Sequence, residues 1–161
     1  MESRGRTEWW GKSESMTDTI RVLYVDDDPA SLRMRGEFIA EHERIDVVTE
    51  STVTAGLDRL ESDDVDCVLS DVEMPGRDGL EFLECVRGRA PRFPFIVFCT
   101  DPSAALVEEA LAAGATDCIP KSLPAISYRL LTHRIVDAVE HYRMQQRIAQ
   151  VRNADHDEDR C

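Results

Sequence analysis

Short apolar runs alternate with amphipathic stretches along most of the chain, and several of the runs end in a polar side chain. Runs of strand length occur at residues 21–25, 45–49, 65–71, 94–100 and 117–120. In 65–71 the apolar positions do not alternate cleanly with polar ones, which predicts a strand buried on both faces. Helical patterns separate the runs. One follows Asp28 and Pro29 with Leu32, Phe38 and Ile39 on its apolar stripe; others span 51–60, marked by Val53, Leu57 and Leu60, then 80–86 and 103–113. Asp28 before Pro29 suits an N-cap with proline at the first helical position, and Gly114 suits the glycine that closes a helix. Strands alternating with helices at this spacing predict an α/β domain with a parallel sheet and right-handed crossovers.

A last helical pattern runs over 124–151, with Leu131, Ile135, Ala138 and Tyr142 at steps of four and three. At 1.5 Å per residue it would be about 40 Å long, roughly twice what a domain of this size covers. Its distal part either pairs with something, a second copy of the chain included, or frays after about Tyr142, where Gln145 and Gln146 interrupt the stripe. The ends are polar. Residues 1–18 are expected to be a disordered tail carrying the exposed pair Trp9 and Trp10, 19–143 the domain, and 144–161 a helix extension whose last residues, from 153, form a charged disordered tail. Met16 is an alternative start.

The stretch 65–79, VDCVLSDVEMPGRDG, organises the rest. Its apolar run delivers one acid, Asp71, to the carboxyl end of a strand, and Pro75, Gly76 and Gly79 then turn the chain toward the next helix. In parallel sheets ligands and chemistry gather beyond that edge. Asp71 as a mere helix cap is the alternative on this stretch alone. The first strand ends in Asp26, Asp27 and Asp28, the fourth in Thr100 and the fifth in Lys121, so four strand ends on one edge are polar. Crowded carboxylates repel unless a cation sits among them. An all-oxygen set with open positions suits Mg²⁺, while a lysine ammonium and a threonine hydroxyl are donors to phosphate oxygens.

Composition narrows the classes. With 161 residues, 42% of them apolar, the chain holds one ordinary core. No run approaches the roughly 18 apolar residues of a membrane span and the N-terminus has no signal-peptide core, so a cytoplasmic location is expected. Three of the five cysteines, Cys67, Cys99 and Cys118, fall inside apolar runs without CxxC spacing and read as buried small residues, and the histidines form no metal pattern. A formal charge of −13 argues against direct contact with a nucleic-acid backbone. Lys12 and Lys121 are the only lysines among 19 basic residues, against 32 acids, a balance that suits either a high-salt cytoplasm or an ordinary acidic domain.

The acidic pair, D-x-x-M-P-G-x-D-G, the threonine and the lysine together resemble the receiver domain of two-component response regulators, over about residues 20–142. The resemblance implies a flavodoxin-like (βα)5 fold, doubly wound around a five-stranded parallel sheet of order 2-1-3-4-5. It implies Asp71 as phosphoacceptor from a phosphohistidine of a sensor histidine kinase. It further implies Asp26, Asp27, Asp71 and the backbone carbonyl of Glu73 as Mg²⁺ ligands, Lys121 as the partner of a phosphate oxygen, and Thr100 as the hydroxyl that senses the phosphoryl group. Such a chain acts only on its own phosphorylation and passes the change to a downstream protein. It would stand alone, with no DNA-binding module after Tyr142. Three positions depart from the family pattern: Cys118 stands where an aromatic residue is usual, Asp101 follows the threonine and Ser122 follows the lysine. Asp101 and Glu73 are candidates for setting phosphorylation and dephosphorylation rates. A haloacid-dehalogenase-type Mg²⁺ phosphatase, with Asp26 and Asp28 as its D-x-D pair, is the competing class, but it leaves Asp71 without a role and lacks a cap domain.

Overall fold

A computed structural model describes residues 19–74, 76–100, 103–121 and 128–160, with side chains as far as residue 152. The expectations for residues 1–18, with Trp9, Trp10 and Met16, and those for Pro75, Asp101, Ser122 and Pro124 fall outside the described residues. Five strands and five helices alternate: β1 (Ile20–Val25), α1 (Pro29–Ala40), β2 (Ile45–Glu50), α2 (Val53–Ser62), β3 (Cys67–Ser70), α3 (Gly79–Arg89), β4 (Phe95–Cys99), α4 (Ala104–Ala112), β5 (Asp117–Pro120) and α5 (Tyr128–Arg160). The strands pair in parallel in the order β2-β1-β3-β4-β5, as the resemblance implied.

The order follows from burial. β3 and β4 are buried at every position, and β1 at all but Arg21, so these three occupy the centre, while the partly exposed β2 and β5 take the edges. One face of the sheet packs Leu23, Val25, Val68 and Val97 against Val53 and Leu60 of α2, Phe82, Leu83 and Val86 of α3, and Ala110 of α4. The other packs Val22, Tyr24, Leu69 and Phe98 against Ile39 of α1 and Leu131, Ile135 and Val139 of α5. The chain reverses its direction of growth between β1 and β3, and the crevice beyond their carboxyl ends is the expected place for a ligand in a doubly wound sheet.

Caps set the helix entries. Asp28 accepts from the Ala30 amide ahead of α1, whose first residue is Pro29, as expected from the sequence. Thr52 and Ser103 cap α2 and α4 in the same way, and Asp78 and Glu81 form a reciprocal capping box at α3. Gly114, at φ +102°, ends α4 in the left-handed conformation. Gly79 is needed for a different reason. A Cβ there would stand 2.0 Å from the Asp71 carbonyl oxygen and 2.9 Å from Val72 Cα, both rigid backbone atoms. Gly79→Ala is therefore expected to cost about 3 kcal/mol, the upper end for overpacking. The shift of the urea midpoint measures it, and a cost below about 0.5 kcal/mol, within the noise of a surface change, would show that the turn can give way.

α5 extends beyond the sequence expectation. It runs 33 residues, to Arg160 rather than to about Val151, and at 1.5 Å per residue is about 50 Å long. Its buried stripe steps by four through Leu131, Ile135 and Val139, with Ala138 only half-buried. Tyr142 packs edge-on to Phe93, ring centroids 5.7 Å apart, and so joins α5 to the core.

Candidate functional site

Parallel register brings the polar strand ends together. Val25 is paired with Ser70, so Asp26 and Asp71 are each the first residue past the paired segment, and the Asp71 amide donates to the Val25 carbonyl at 2.9 Å. Cys99 is paired with Pro120, so Thr100 and Lys121 hold the same position on the next strands, with the Lys121 amide donating to the Cys99 carbonyl at 2.6 Å. Each side chain thus sits on the rim because its strand runs out of partners one residue earlier.

Three charged groups meet there out of solvent: Asp26 is 0% exposed, and Asp71 and Lys121 are each 6% exposed. Lys121 Nζ donates to Asp26 Oδ2 at 2.6 Å and lies 3.3 Å from Asp71 Oδ1. The ammonium leans on Asp26 and reaches Asp71 more loosely. Asp71 Oδ1 also accepts from the Val72 amide at 2.8 Å. Burial pushes the Asp71 carboxyl above the usual carboxylate range, and the Asp26 charge adds to this, while Lys121 and the Val72 amide oppose it.

The acidic triplet separates into three environments. Asp26 is buried, and its Oδ1 accepts from the Asp28 amide at 3.0 Å. Asp27 is exposed at the mouth of the site. Asp28 spends its carboxylate on α1, accepting from the Ala30 amide at 3.1 Å and the Ser31 hydroxyl at 3.0 Å. Those bonds hold it below the usual carboxylate range. The competing reading of Asp26 and Asp28 as the D-x-D pair of a phosphatase is therefore not supported, because the Asp28 carboxylate is a helix cap.

Thr100 is exposed at the rim beside the end of β4, and Glu73 is exposed in the turn after Asp71. Cys118 is half-buried on β5, with its Sγ 3.8 Å from the Cys99 Sγ. Burial pushes the Cys99 thiol up to about 12 and raises Cys118 also, so both are neutral thiols at physiological pH. A small, neutral side chain thus fills the place where the family pattern has a ring.

One group went unread in the sequence. Tyr24, inside the apolar run of β1, donates its hydroxyl to Asp26 Oδ2 at 3.0 Å. The available signal was its spacing: residues two apart on a strand share a face, and a buried tyrosine needs an acceptor.

Ligand atoms of Asp26, Asp27 and Asp71 lie within 4.8 Å of one another. Three carboxylates, hard oxygen donors with one facing solvent, fit a small hard divalent cation that keeps part of its water shell. Lys121 alone offsets only part of their combined negative charge.

The response regulator receiver domain family matches residues 22–134. A protein-glutamate methylesterase/protein-glutamine glutaminase of Rhodopseudomonas palustris is 39% identical over 106 residues, 63% of this chain and 29% of that protein. The transcriptional regulatory protein FixJ of Bradyrhizobium diazoefficiens is 33% identical over 99 residues, 62% of this chain and 48% of its own length. The matches thus span less than half of these curated relatives. A CheY-like receiver domain protein of Methanospirillum hungatei superposes with a TM-score of 0.69 at 27% identity, covering 79% of this chain and 98% of that one.

Proposed function

Since the chain belongs to the response regulator receiver family and so to two-component signalling, we propose that Asp71 is its phosphoacceptor, charged by the phosphohistidine of a sensor histidine kinase. An Asp71 carboxylate oxygen attacks phosphorus in line, the P–N bond breaks, and the imidazole leaves with its electron pair and takes up a proton. The observation that carries this reading is the buried contact of Lys121 with both Asp26 and Asp71, which puts a cation beside the one carboxylate that is held less tightly.

Mg²⁺ would be held by Asp26, Asp27, Asp71 and the backbone carbonyl of Glu73, and when bound it offsets charge on the phosphoryl oxygens. Asp26 and Asp27 hold their carboxylates toward Asp71. Lys121 turns from Asp26 to a phosphoryl oxygen, and Thr100 donates to another. Phosphorylation adds about 1.5 to 2 negative charges, and contacts available only after transfer are what shift the population of two states. With Cys118 in place of a ring, the outward path differs from one based on aromatic rotation. Asp101 and Glu73 remain the proposed rate-setting positions.

The chain acts only on its own aspartate in this reading, and its output is a contact with a downstream protein rather than with nucleic acid. No helix among the described residues is long and apolar enough to cross a membrane, and a cytoplasmic site of action is proposed. Exposed Met144, Ile148 and Val151, at steps of four and three along α5 after Tyr142, support a dimer through that helix. Ile148→Asp is expected to convert the dimer to a monomer in sedimentation without altering the domain's melting; an unchanged sedimentation coefficient sinks this use of α5.

The direct test of the phosphoacceptor is incubation of the whole chain with an acyl phosphate and MgCl₂, read by intact mass. One phosphoryl group per chain is expected. Sustained release of inorganic phosphate with no covalent adduct would favour a phosphatase instead.

A further inference from the structure

One polar group at the site has no part in the phosphoryl chemistry: the hydroxyl of Tyr24. Tyr24 lies on the central strand β1 and is 0% exposed. Its ring is fixed edge-on against Phe98, centroids 6.0 Å apart at 62°, in the core that Ile39, Leu131 and Ile135 complete. From there the hydroxyl reaches up the strand face and donates to Asp26 Oδ2 at 3.0 Å, the same oxygen that takes Lys121 Nζ at 2.6 Å. The other oxygen, Oδ1, accepts from the Asp28 amide at 3.0 Å. The Asp26 carboxylate is gripped from below by a phenol, from one side by an ammonium and from the helix entry by an amide.

These three donors differ in what they can do next. Lys121 is a flexible chain whose ammonium already touches Asp71 at 3.3 Å. The Asp28 amide is tied to the start of α1. Tyr24 cannot leave, because rotating the ring would break its packing in a close-packed core. We propose that Tyr24 is a positioning residue for Asp26. It fixes the carboxylate in the orientation that receives a divalent cation, and it remains the donor to Asp26 when Lys121 turns toward the phosphoryl group. This rests on the proposed Mg²⁺ and phosphoacceptor reading of the site.

When Lys121 turns away, Asp26 Oδ2 loses one of its two donors, and a buried polar oxygen without a hydrogen-bond partner is costly. Tyr24 supplies the remaining donor from inside the core, on the side away from solvent. The arrangement parallels the outer partners of metal ligands, which fix ligand orientation and whose loss typically weakens metal binding by 10–100-fold.

Tyr24→Phe retains the ring and its packing and removes only the donor. In the whole chain, calorimetric titration with MgCl₂ is expected to give a dissociation constant about tenfold weaker than that of the unchanged protein. Labelling by an acyl phosphate should slow at limiting Mg²⁺ and recover its full rate at saturating Mg²⁺. Equal Mg²⁺ affinity in the two proteins would overturn the role of Tyr24 while leaving the site reading intact. Failure of the unchanged protein to bind Mg²⁺ at all would overturn the site reading itself. Slow labelling that saturating Mg²⁺ does not restore, or a variant that unfolds on loss of the hydroxyl, would make Tyr24 a structural residue and overturn the proposal.

Discussion

Asp71→Asn is expected to abolish covalent phosphorylation and, in the presence of a chelator, to raise the thermal midpoint of the domain. The first effect follows because the amide has no anionic oxygen to attack phosphorus. The second follows from burial. Asp71 is 6% exposed beside the fully buried Asp26, and its carboxyl is raised above the usual range chiefly by that burial. An acid raised in the folded state favours folding below its unfolded pKa, and that contribution is lost as pH rises through the folded pKa. At neutral pH the ionised Asp71 therefore costs stability, and the neutral amide removes the cost. The gap between variant and unchanged protein should close as pH falls through the carboxylate range.

Mg²⁺ should invert the order, since a ligand at a hundred times its dissociation constant stabilises the protein that binds it by about 2.7 kcal/mol. The checks are melting curves with chelator and with MgCl₂, together with intact mass after acyl phosphate treatment. Full stoichiometric labelling of the variant would remove Asp71 from the mechanism.

Asp71 was legible because an acid closes a strand-length run rich in Val, Cys and Leu, and the register of β1 with β3 then leaves it unpaired beside Asp26. The triplet was harder. Pro29 already marked Asp28 as the cap of α1, which the structure ties to Ala30 and Ser31, but Asp26 and Asp27 are chemically identical in the sequence and only the end of β1 decides that the first is buried and the second exposed. Tyr24 was hidden because tyrosine is a good strand former and sits among apolar neighbours, so its hydroxyl drew no separate account. Gly79 read as a turn residue, whereas a Cβ there would run into the Asp71 carbonyl, a close backbone approach that composition does not encode. The far end of α5 was missed because residues 152–160 carry no apolar stripe in the sequence.

The surface shows why one lysine stands out. Arginines make the ion pairs between elements: Arg21 with Asp46 and Asp63, Arg59 with Glu50, Arg89 with Glu61, and Arg134 with Asp117. A planar guanidinium suits such partly exposed carboxylates. At the site the requirement differs. A compact ammonium on a flexible stem can change partners, which a rigid fork between two carboxylates would do less readily. Among the described residues Lys121 is the one lysine, and it occupies the position where mobility of a point charge is useful.

Lys121→Met is accordingly expected to cost about 3 kcal/mol of stability in chelator, the lower end for breaking one side of a buried pair. Methionine fills the stem's volume but leaves Asp26, 0% exposed, without its ammonium. The loss stays at the lower end because Tyr24 and the Asp28 amide still donate to that carboxylate. Adding Asp26→Asn should recover most of the loss, since the penalty lies in the orphaned charge rather than in missing packing, and a double-mutant cycle from urea unfolding isolates it. Additive losses would show instead that the two residues act independently and that water reaches Asp26. Mg²⁺ provides the second arm. Lys121 and a divalent cation both offset the same carboxylates, so removal of the ammonium should increase the stabilisation given by MgCl₂ beyond that of the unchanged protein. If added Mg²⁺ stabilises the variant less, Lys121 helps to assemble the cation site rather than competing for it.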